Sequence, residues 1–427
     1  MKHIVIIGNG ISGITTARHI RKLSGFRITV ISSETDHFFA RTALMYVYMG
    51  HMKYENTKPY EDRFWKKNRI ELFRDHVSGV DPDNKEVFLS SRKKIGYDVL
   101  VIASGSVPRT FGWPGLDLAG VSGFYSYQDL ENIERFTKDI SGAVIVGGGL
   151  IGVELDEMMH YAGIPTVHLV RENWYWGNIL PEEEGRLVER EIRRNRIDLR
   201  LNSELSEIKG DGSGRVKAVV TGNGEMIECG FVGLATGVRP NIGWLKGSGI
   251  ETKQGILVDE YLKTNFDDVY AIGDCAQFRE PPPNRKPVEQ VWYTGRMQGE
   301  TLAQTICGNP IKYEPGIWFN SAKFFNIEYQ TYGLVSNKLE ENEEQFCWES
   351  DDGRKCLKLV YDRGRRNLKG ANIFGMRMRH EVFDRWIREG IAVEQVVEEL
   401  HRAFFDPEFT KDYTERIKHS YKTETVH

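Results

Sequence analysis

Apolar residues along the chain come in short unbroken runs, separated by glycine-bearing turns and by stretches of helical periodicity. KHIVIIG (2–8) reads as a strand, NGISGITTARHIRKLS as a turn and helix, and RITVIS as a second strand. A strand apolar on both faces belongs in a parallel sheet covered on each side, and the intervening helix completes a βαβ unit. The same series recurs about 140 residues later as AVIVGGG, LIGVELDEMMHYAG and PTVHLV. Two further strands, YDVLVIASGSVPR (97–109) and CGFVGLATGVRPN (229–241), run into small-residue turns ending in proline and look like matching exits. GILVDEYLKTNFDDVYAIGDCAQF (255–278) holds a strand ending on Gly273 and Asp274. PPPNRKP (281–287) reads as an exposed loop before the helix EQVWYTGRMQGETLAQTICG. After Pro310 the texture changes: EEQFCWES, the turn DDGR and KCLKLVYD predict a hairpin, with a third strand in KGANIFG and helices in HEVFDRWIREG and VEQVVEELHRAF. The segment after Pro407 is polar and is expected to be loosely held.

The glycines carry the first chemistry. In a GxGxxG turn between strand and helix, the first glycine permits the bend, the second lets backbone approach a pyrophosphate, and the third allows close helix packing. Gly8, Gly10 and Gly13 satisfy this once, and Gly147, Gly149 and Gly152 satisfy it again. The ends of the second strands separate the two ligands. After RITVIS come Ser32, Ser33 and Glu34, and an acidic group there can accept from an adenosine ribose hydroxyl. After TVHLV come Arg171 and Glu172: a cation suits a 2′-phosphate and leans toward NADPH, whereas a shift of one residue puts Glu172 on the ribose.

The bulk composition narrows the class. The 427 residues predict two or three domains, and 40% hydrophobic residues, 28% charged residues and a net charge of −4 describe an ordinary globular protein with no bias toward nucleic acid. No run approaches the roughly 20 apolar residues of a spanning helix, and the first strand follows Met-Lys-His directly, so a cytoplasmic location is expected. The five cysteines are scattered without a close pair, and the eleven histidines show no metal-ligand spacing.

The order of GNGISG, ASGSVPR, GGGLIGVE, LATGVRPN and AIGDCA resembles the two-dinucleotide flavoprotein reductases of the pyridine nucleotide-disulfide oxidoreductase superfamily. The resemblance implies an α/β fold of two Rossmann-like three-layer domains, the second inserted in the first, plus a C-terminal α+β domain. It implies an FAD-binding domain at 1–110 and 240–310, an NAD(P)H-binding domain at 111–239 and an interface domain at 311–427. FAD would be held by Gly8, Gly10, Ser12, Gly13, Ser33, Glu34, Ala103, Ser104, Gly105, Arg109 and Gly273, with Asp274 on the ribityl chain. NADH or NADPH would be held by Gly147, Gly149, Leu150, Ile151, Gly152, Arg171, Thr236 and Gly237. Glu154 would orient the nicotinamide; the alternative is a solvated residue favoured by the helix dipole.

Dithiol members need a redox cysteine pair soon after the first unit, and residues 35–55 contain no cysteine. What remains resembles the ferredoxin- and rubredoxin-reductase branch, which includes apoptosis-inducing-factor-like proteins. HFFARTAL (37–44) would place Arg41 and Thr42 near the flavin nucleotide, and GIWFNSAKFFNIEYQTYGLV (316–335) would open the last domain. Met45-Tyr46 stands where the branch usually has a lysine, and Asn320 where a tryptophan is common. Gln290, Val291 and Trp292 would bring a helix start to the flavin, although Trp292 is equally readable as a core aromatic. Residues 363–388 hold eight Lys or Arg against Glu381 and Asp384, readable either as a docking face for an acidic carrier or as a surface balanced by LEENEEQ (339–345). The resemblance therefore implies an FAD-dependent NAD(P)H oxidoreductase serving a ferredoxin or rubredoxin. Its rivals are a membrane-peripheral quinone reductase and a redox-sensing flavoprotein, and a homodimer is allowed.

Overall fold

A computed structural model describes residues 1–406 and 408–425, and the chain divides into two compact units. The first comprises Met1–Arg109, Gly123–Arg135 and Gly237–Pro315. Its parallel sheet runs Val269–Ala271, Val99–Ile102, His3–Ile7, Arg27–Ser32, Ile70–Arg74, with the strand that leads into the first glycine turn at the centre. Helix Ile11–Leu23 lies against helix Trp292–Ile306. That approach depends on two glycines: a Cβ on Gly295 would stand 2.4 Å from Ser12 Oγ, and one on Gly299 2.8 Å from the Ser12 carbonyl. The two proline exits meet as an antiparallel ribbon, Ser106–Pro108 against Val238–Pro240.

The second unit comprises Thr110–Ser122, Phe136–Thr236 and Gly316–His427. Its parallel sheet runs Asp198–Arg200, Thr166–Leu169, Ala143–Val146, Phe231–Leu234, Val121–Ser122. An antiparallel sheet follows, Phe319–Phe324, Ile327–Gly333, Leu368–Phe374, Cys356–Asp362, Glu343–Glu349. The architecture is α/β with two Rossmann-type sheets and an α+β portion. Residues 316–427 fall in the same compact unit as 136–236, whereas the sequence reading separates them, and 123–135 return to the first unit. The segment after Pro407 also differs from expectation. Helix Thr414–Thr425 places Ile417 and Tyr421 in the apolar core with Phe346, Trp386 and Leu400.

One face of the antiparallel sheet carries polar groups under helix Glu182–Arg194. Lys358 is fully buried, and its ammonium donates to Glu183 Oε1 and Gln345 Oε1, both at 3.1 Å. Glu184 Oε2 accepts from Asn372 Nδ2 at 2.7 Å, while Oε1 finds no partner. Burial pushes the Glu184 carboxyl up to about 7, against the opposing pull of Lys358. A buried acid that holds its proton more tightly folded than unfolded contributes stability at low pH, lost as pH rises from the ordinary carboxyl range through about 7. Glu184→Gln keeps the bond from Asn372 and removes the charge. It should raise stability at pH 8 by on the order of 1–3 kcal/mol and change little at pH 5, read from thermal melts at the two pH values.

Candidate functional site

The first glycine turn opens a cavity of about 560 Å³ in the first unit. Gly8 has φ +112°, and a Cβ there would lie 2.1 Å from the Ala103 carbonyl oxygen; one on Gly13 would lie 2.0 Å from the Gly8 oxygen. Gly10 has nothing within 4 Å of a built Cβ, so its backbone stands open. Helix Ile11–Leu23 begins there with Gly10 as N-cap, without a side-chain cap and without an acidic residue in its first turn. Its first N–H groups are left for an outside acceptor, which favours an anion.

Of the residues proposed from sequence, Gly8, Gly10, Ser12, Ser33, Glu34, Arg41, Thr42, Ala103, Ser104, Gly105, Asp274, Gln290 and Trp292 line this cavity. Gly13, Arg109, Gly273 and Val291 stand outside its lining. Gly13 serves the helix approach, Arg109 N–H donates to the Gly237 oxygen at 2.9 Å, and Val291 is the N-cap of helix Trp292–Ile306. Gly273, at φ +72°, passes so near Ser12 that a Cβ would meet its Oγ at 2.4 Å.

Two candidates meet directly. Arg41 donates to both Glu34 oxygens at 2.8 and 2.7 Å, and also to the Tyr125 carbonyl. Glu34 Oε1 further accepts from Tyr127 N–H at 2.9 Å, so strand end, loop and helix start converge on one carboxylate. Burial disfavours the Arg41 charge, but the bond and charge of Glu34 outweigh it and hold the guanidinium above its ordinary value. On the opposite side, Ser106 Oγ donates to Asp274 Oδ2 at 2.9 Å and accepts from Gln290 Nε2 at 2.6 Å. Burial raises the Asp274 carboxyl above its usual range, partly offset by Ser106 and the Arg41 charge.

Tyr125, Ser126, Gln128, Asp129, Asn241 and Trp244 also line the cavity and are absent from the sequence reading. A signal existed for part of this segment. Asp129 Oδ2 accepts from the Tyr125 and Ser126 amides at 2.9 and 2.8 Å, and Ser126 Oγ reaches back to the Asp129 amide at 3.1 Å. That reciprocal cap is the S-x-x-D pattern of a helix start.

The second turn repeats the geometry in the second unit. Gly147 has φ +116°, and its Cβ would lie 2.4 Å from the Ala235 oxygen and 3.1 Å from Thr236 N. A Cβ on Gly152 would meet the Gly147 oxygen at 2.3 Å, whereas one on Gly149 would find nothing nearer than Trp176 at 3.8 Å. Helix Leu150–Tyr161 starts with Gly149 as N-cap, again without a side-chain cap or first-turn acid. Leu150 and Ile151, partly buried, form its first turn. Glu154 is partly buried, and burial followed by the Glu157 charge pushes its carboxyl up to about 7. Arg171 is exposed and pairs with Glu172 at 3.3 Å.

The basic stretch is largely neutralised. Arg363 and Arg366 pair with Glu344, Arg366 also with Glu394, Lys369 with Glu343, Arg377 with Glu328 and Arg388 with Asp384. This favours the balanced-surface reading over a docking face. The cysteines are not all apart: Cys347 and Cys356 sulfurs lie 3.7 Å from each other, diagonally across paired strands. Among the described residues no helix is long and apolar enough to cross a membrane.

The model of the pyridine nucleotide-disulphide oxidoreductase family matches residues 2–299. The chain is 29% identical over 381 residues to a nitrite reductase [NAD(P)H] of Bacillus subtilis (strain 168), covering 88% of this chain and 46% of that protein. It therefore spans about half the length of that relative. It is 30% identical over 366 residues to a ferredoxin–NAD(P)(+) reductase of Sphingomonas sp, covering 84% of this chain and 86% of the other. Among solved structures, an NAD-dependent persulfide reductase from A. fulgidus shares the fold with a TM-score of 0.88 at 23% identity, over 99% of this chain and 84% of the other. With the family pattern matched across both glycine turns, the chain belongs to the pyridine nucleotide-disulphide oxidoreductase family.

Proposed function

We propose that this chain is an FAD-dependent NAD(P)H oxidoreductase that delivers electrons to a small carrier of the ferredoxin or rubredoxin type. The observation that carries the reading is the pair of uncapped helix starts, each behind a turn whose second glycine is open, with an acid at the end of one second strand and a cation after the other. The first cavity fits FAD: Gly10 and the first amides of helix Ile11–Leu23 would meet its pyrophosphate, Glu34 its adenosine ribose and Asp274 its ribityl hydroxyls. The second turn fits NAD(P)H, with the Gly148 and Leu150 amides beside the open Gly149 at the pyrophosphate and Arg171 or Glu172 at the adenosine ribose. Bound FAD would supply hydride acceptance from the nicotinamide and release of electrons one at a time. The protein's part is placement. Arg41 fixes the Glu34 side chain through both carboxyl oxygens, and Ser106 fixes the rotamer of Asp274. Glu154, with a carboxyl raised to about 7, can present either an acceptor or a donor near neutral pH.

The names of relatives support this acceptor class, among them the ferredoxin–NAD(P)(+) reductase and an NADH-rubredoxin oxidoreductase of Clostridium acetobutylicum. A second reading follows from the longer nitrite reductase: the chain would be the NAD(P)H-oxidising portion of a nitrite-reducing system. A cytoplasmic location, where reduced nicotinamide nucleotides are held, goes with this reading.

Anaerobic mixing of the FAD-loaded protein with NADH or NADPH should bleach the flavin, and reoxidation by ferredoxins, rubredoxins and nitrite-reducing fractions ranks the acceptors. Flavin that stays yellow with both nucleotides would sink the proposal. Arg171→Ala should weaken NADPH about ten-fold and NADH less than about two-fold, read from the concentration dependence of bleaching; equal losses would refute a 2′-phosphate contact. Asp274→Ala should purify with FAD affinity lowered at least about ten-fold, measured by flavin release on dilution, because it removes a buried hydrogen-bonding carboxyl.

A further inference from the structure

Behind the second glycine turn stand three buried side chains that the first turn lacks. His168 presents Nε2 to the Gly147 carbonyl oxygen at 3.0 Å and Nδ1 to Asp156 Oδ2 at 2.6 Å. A carbonyl only accepts, so Nε2 carries hydrogen and donates; the pair's other proton lies between Nδ1 and Asp156. Tyr175 hydroxyl donates to the Gly149 carbonyl at 2.8 Å, and its ring meets His168 edge to face at 5.6 Å. All three residues are 0% exposed.

The first unit is an internal control. Strand register sets Val30 opposite Ile6 as it sets His168 opposite Ile145, and Ala17 follows Gly13 by four residues as Asp156 follows Gly152. The same turn is thus built once over an apolar Val30 and Ala17, buried to 1% and 0%, and once over an acid and an imidazole. A buried ionisable pair adds little to folding over an apolar pair of similar volume, and Asp156 Oδ1 is left without a partner. The first unit forms its turn without such a pair.

What the pair can do follows from peptide planarity. In a trans peptide the C=O and the following N–H point opposite ways. Holding the Gly147 carbonyl inward, where it also accepts from the Gly149 amide at 3.1 Å, aims the Gly148 amide outward; holding the Gly149 carbonyl inward, where it also accepts from the Val153 amide at 3.3 Å, aims the Leu150 amide outward. Those are the amides an anion at this helix start would use. Gly152 belongs to the same device, since a Cβ there would stand 2.9 Å from the His168 ring.

We propose that Asp156, His168 and Tyr175 are positioning residues that preset the second glycine turn for the pyrophosphate of NAD(P)H. The inference rests on reading that turn as the nucleotide site. Its test is equilibrium binding of ADP-ribose to the FAD-loaded full chain by titration calorimetry, alongside melting temperature and FAD content. D156A/H168V installs the apolar pair that the first turn already tolerates, and should loosen ADP-ribose about five- to ten-fold while stability and FAD content hold. Tyr175→Phe, which keeps the ring, should loosen it about three-fold, and His168→Gln, whose amide can still reach Gly147, should stay within about two-fold. Unchanged affinity in D156A/H168V and Y175F, or losses matched by equal falls in melting temperature and FAD content, would overturn the brace alone. Failure of the natural sequence to bind ADP-ribose would overturn the reading of the turn and the brace with it. If D156A/H168V does not fold, Y175F decides.

Discussion

Two backbone contacts govern this molecule: the Ala103 oxygen under Gly8 and the Ala235 oxygen under Gly147, each closer to a built Cβ than any side chain permits. In each unit the contact joins the exit of a neighbouring parallel strand to the bend between the central strand and its helix. The bend in turn sets where the helix starts, and the start sets which amides lack partners. A parallel sheet buries its strands on both faces, so this edge is where its backbone meets a ligand. The open Gly10 and Gly149, the missing caps and the missing first-turn acids are one arrangement written twice.

The βαβ units were legible because strands buried on both faces leave no polar positions to blur the pattern, and because glycine is required at positive φ. Glu34 could be named from its place after the second strand, Arg41 and Asp274 from the family resemblance, and all three line one cavity. The helix start at Tyr125–Asp129 was missed, since a loop's composition does not state to which sheet it returns. Cys347 and Cys356 are nine residues apart and meet only through the register that sets Cys347 opposite Lys358. His168 and Asp156 were hidden for a similar reason: a buried histidine in an apolar strand gives no hint of the helix residue that reaches it. The polar ending read as loose because its two core contacts, Ile417 and Tyr421, are thinly spaced among charges.

Charge in this protein is mostly spent locally. The basic stretch 363–388 and the acidic run before it cancel in part through ion pairs within the last sheet region, as Lys369 with Glu343 and Arg366 with Glu344 illustrate. Isolated surface pairs of this kind add little stability, so their effect is to lower the long-range field over that face. The buried carboxyls behave differently. Burial raises the carboxyls of Glu184 and Glu154 each to about 7, one within the second unit's interior and the other one turn into helix Leu150–Tyr161.

The ribbon of Ser106–Pro108 against Val238–Pro240 has an evolutionary consequence. Adjacent strands lie about 4.8 Å apart, so the host sheet offers two chain ends side by side. A guest module whose own ends are close can be spliced there without stretching its host. The position of Ser106 in that ribbon, bonded to Asp274 and Gln290, means that the ribbon is also a wall of the first unit's cavity. A change of length or register in the ribbon would therefore shift Ser106, and with it the partners that hold the Asp274 and Gln290 side chains.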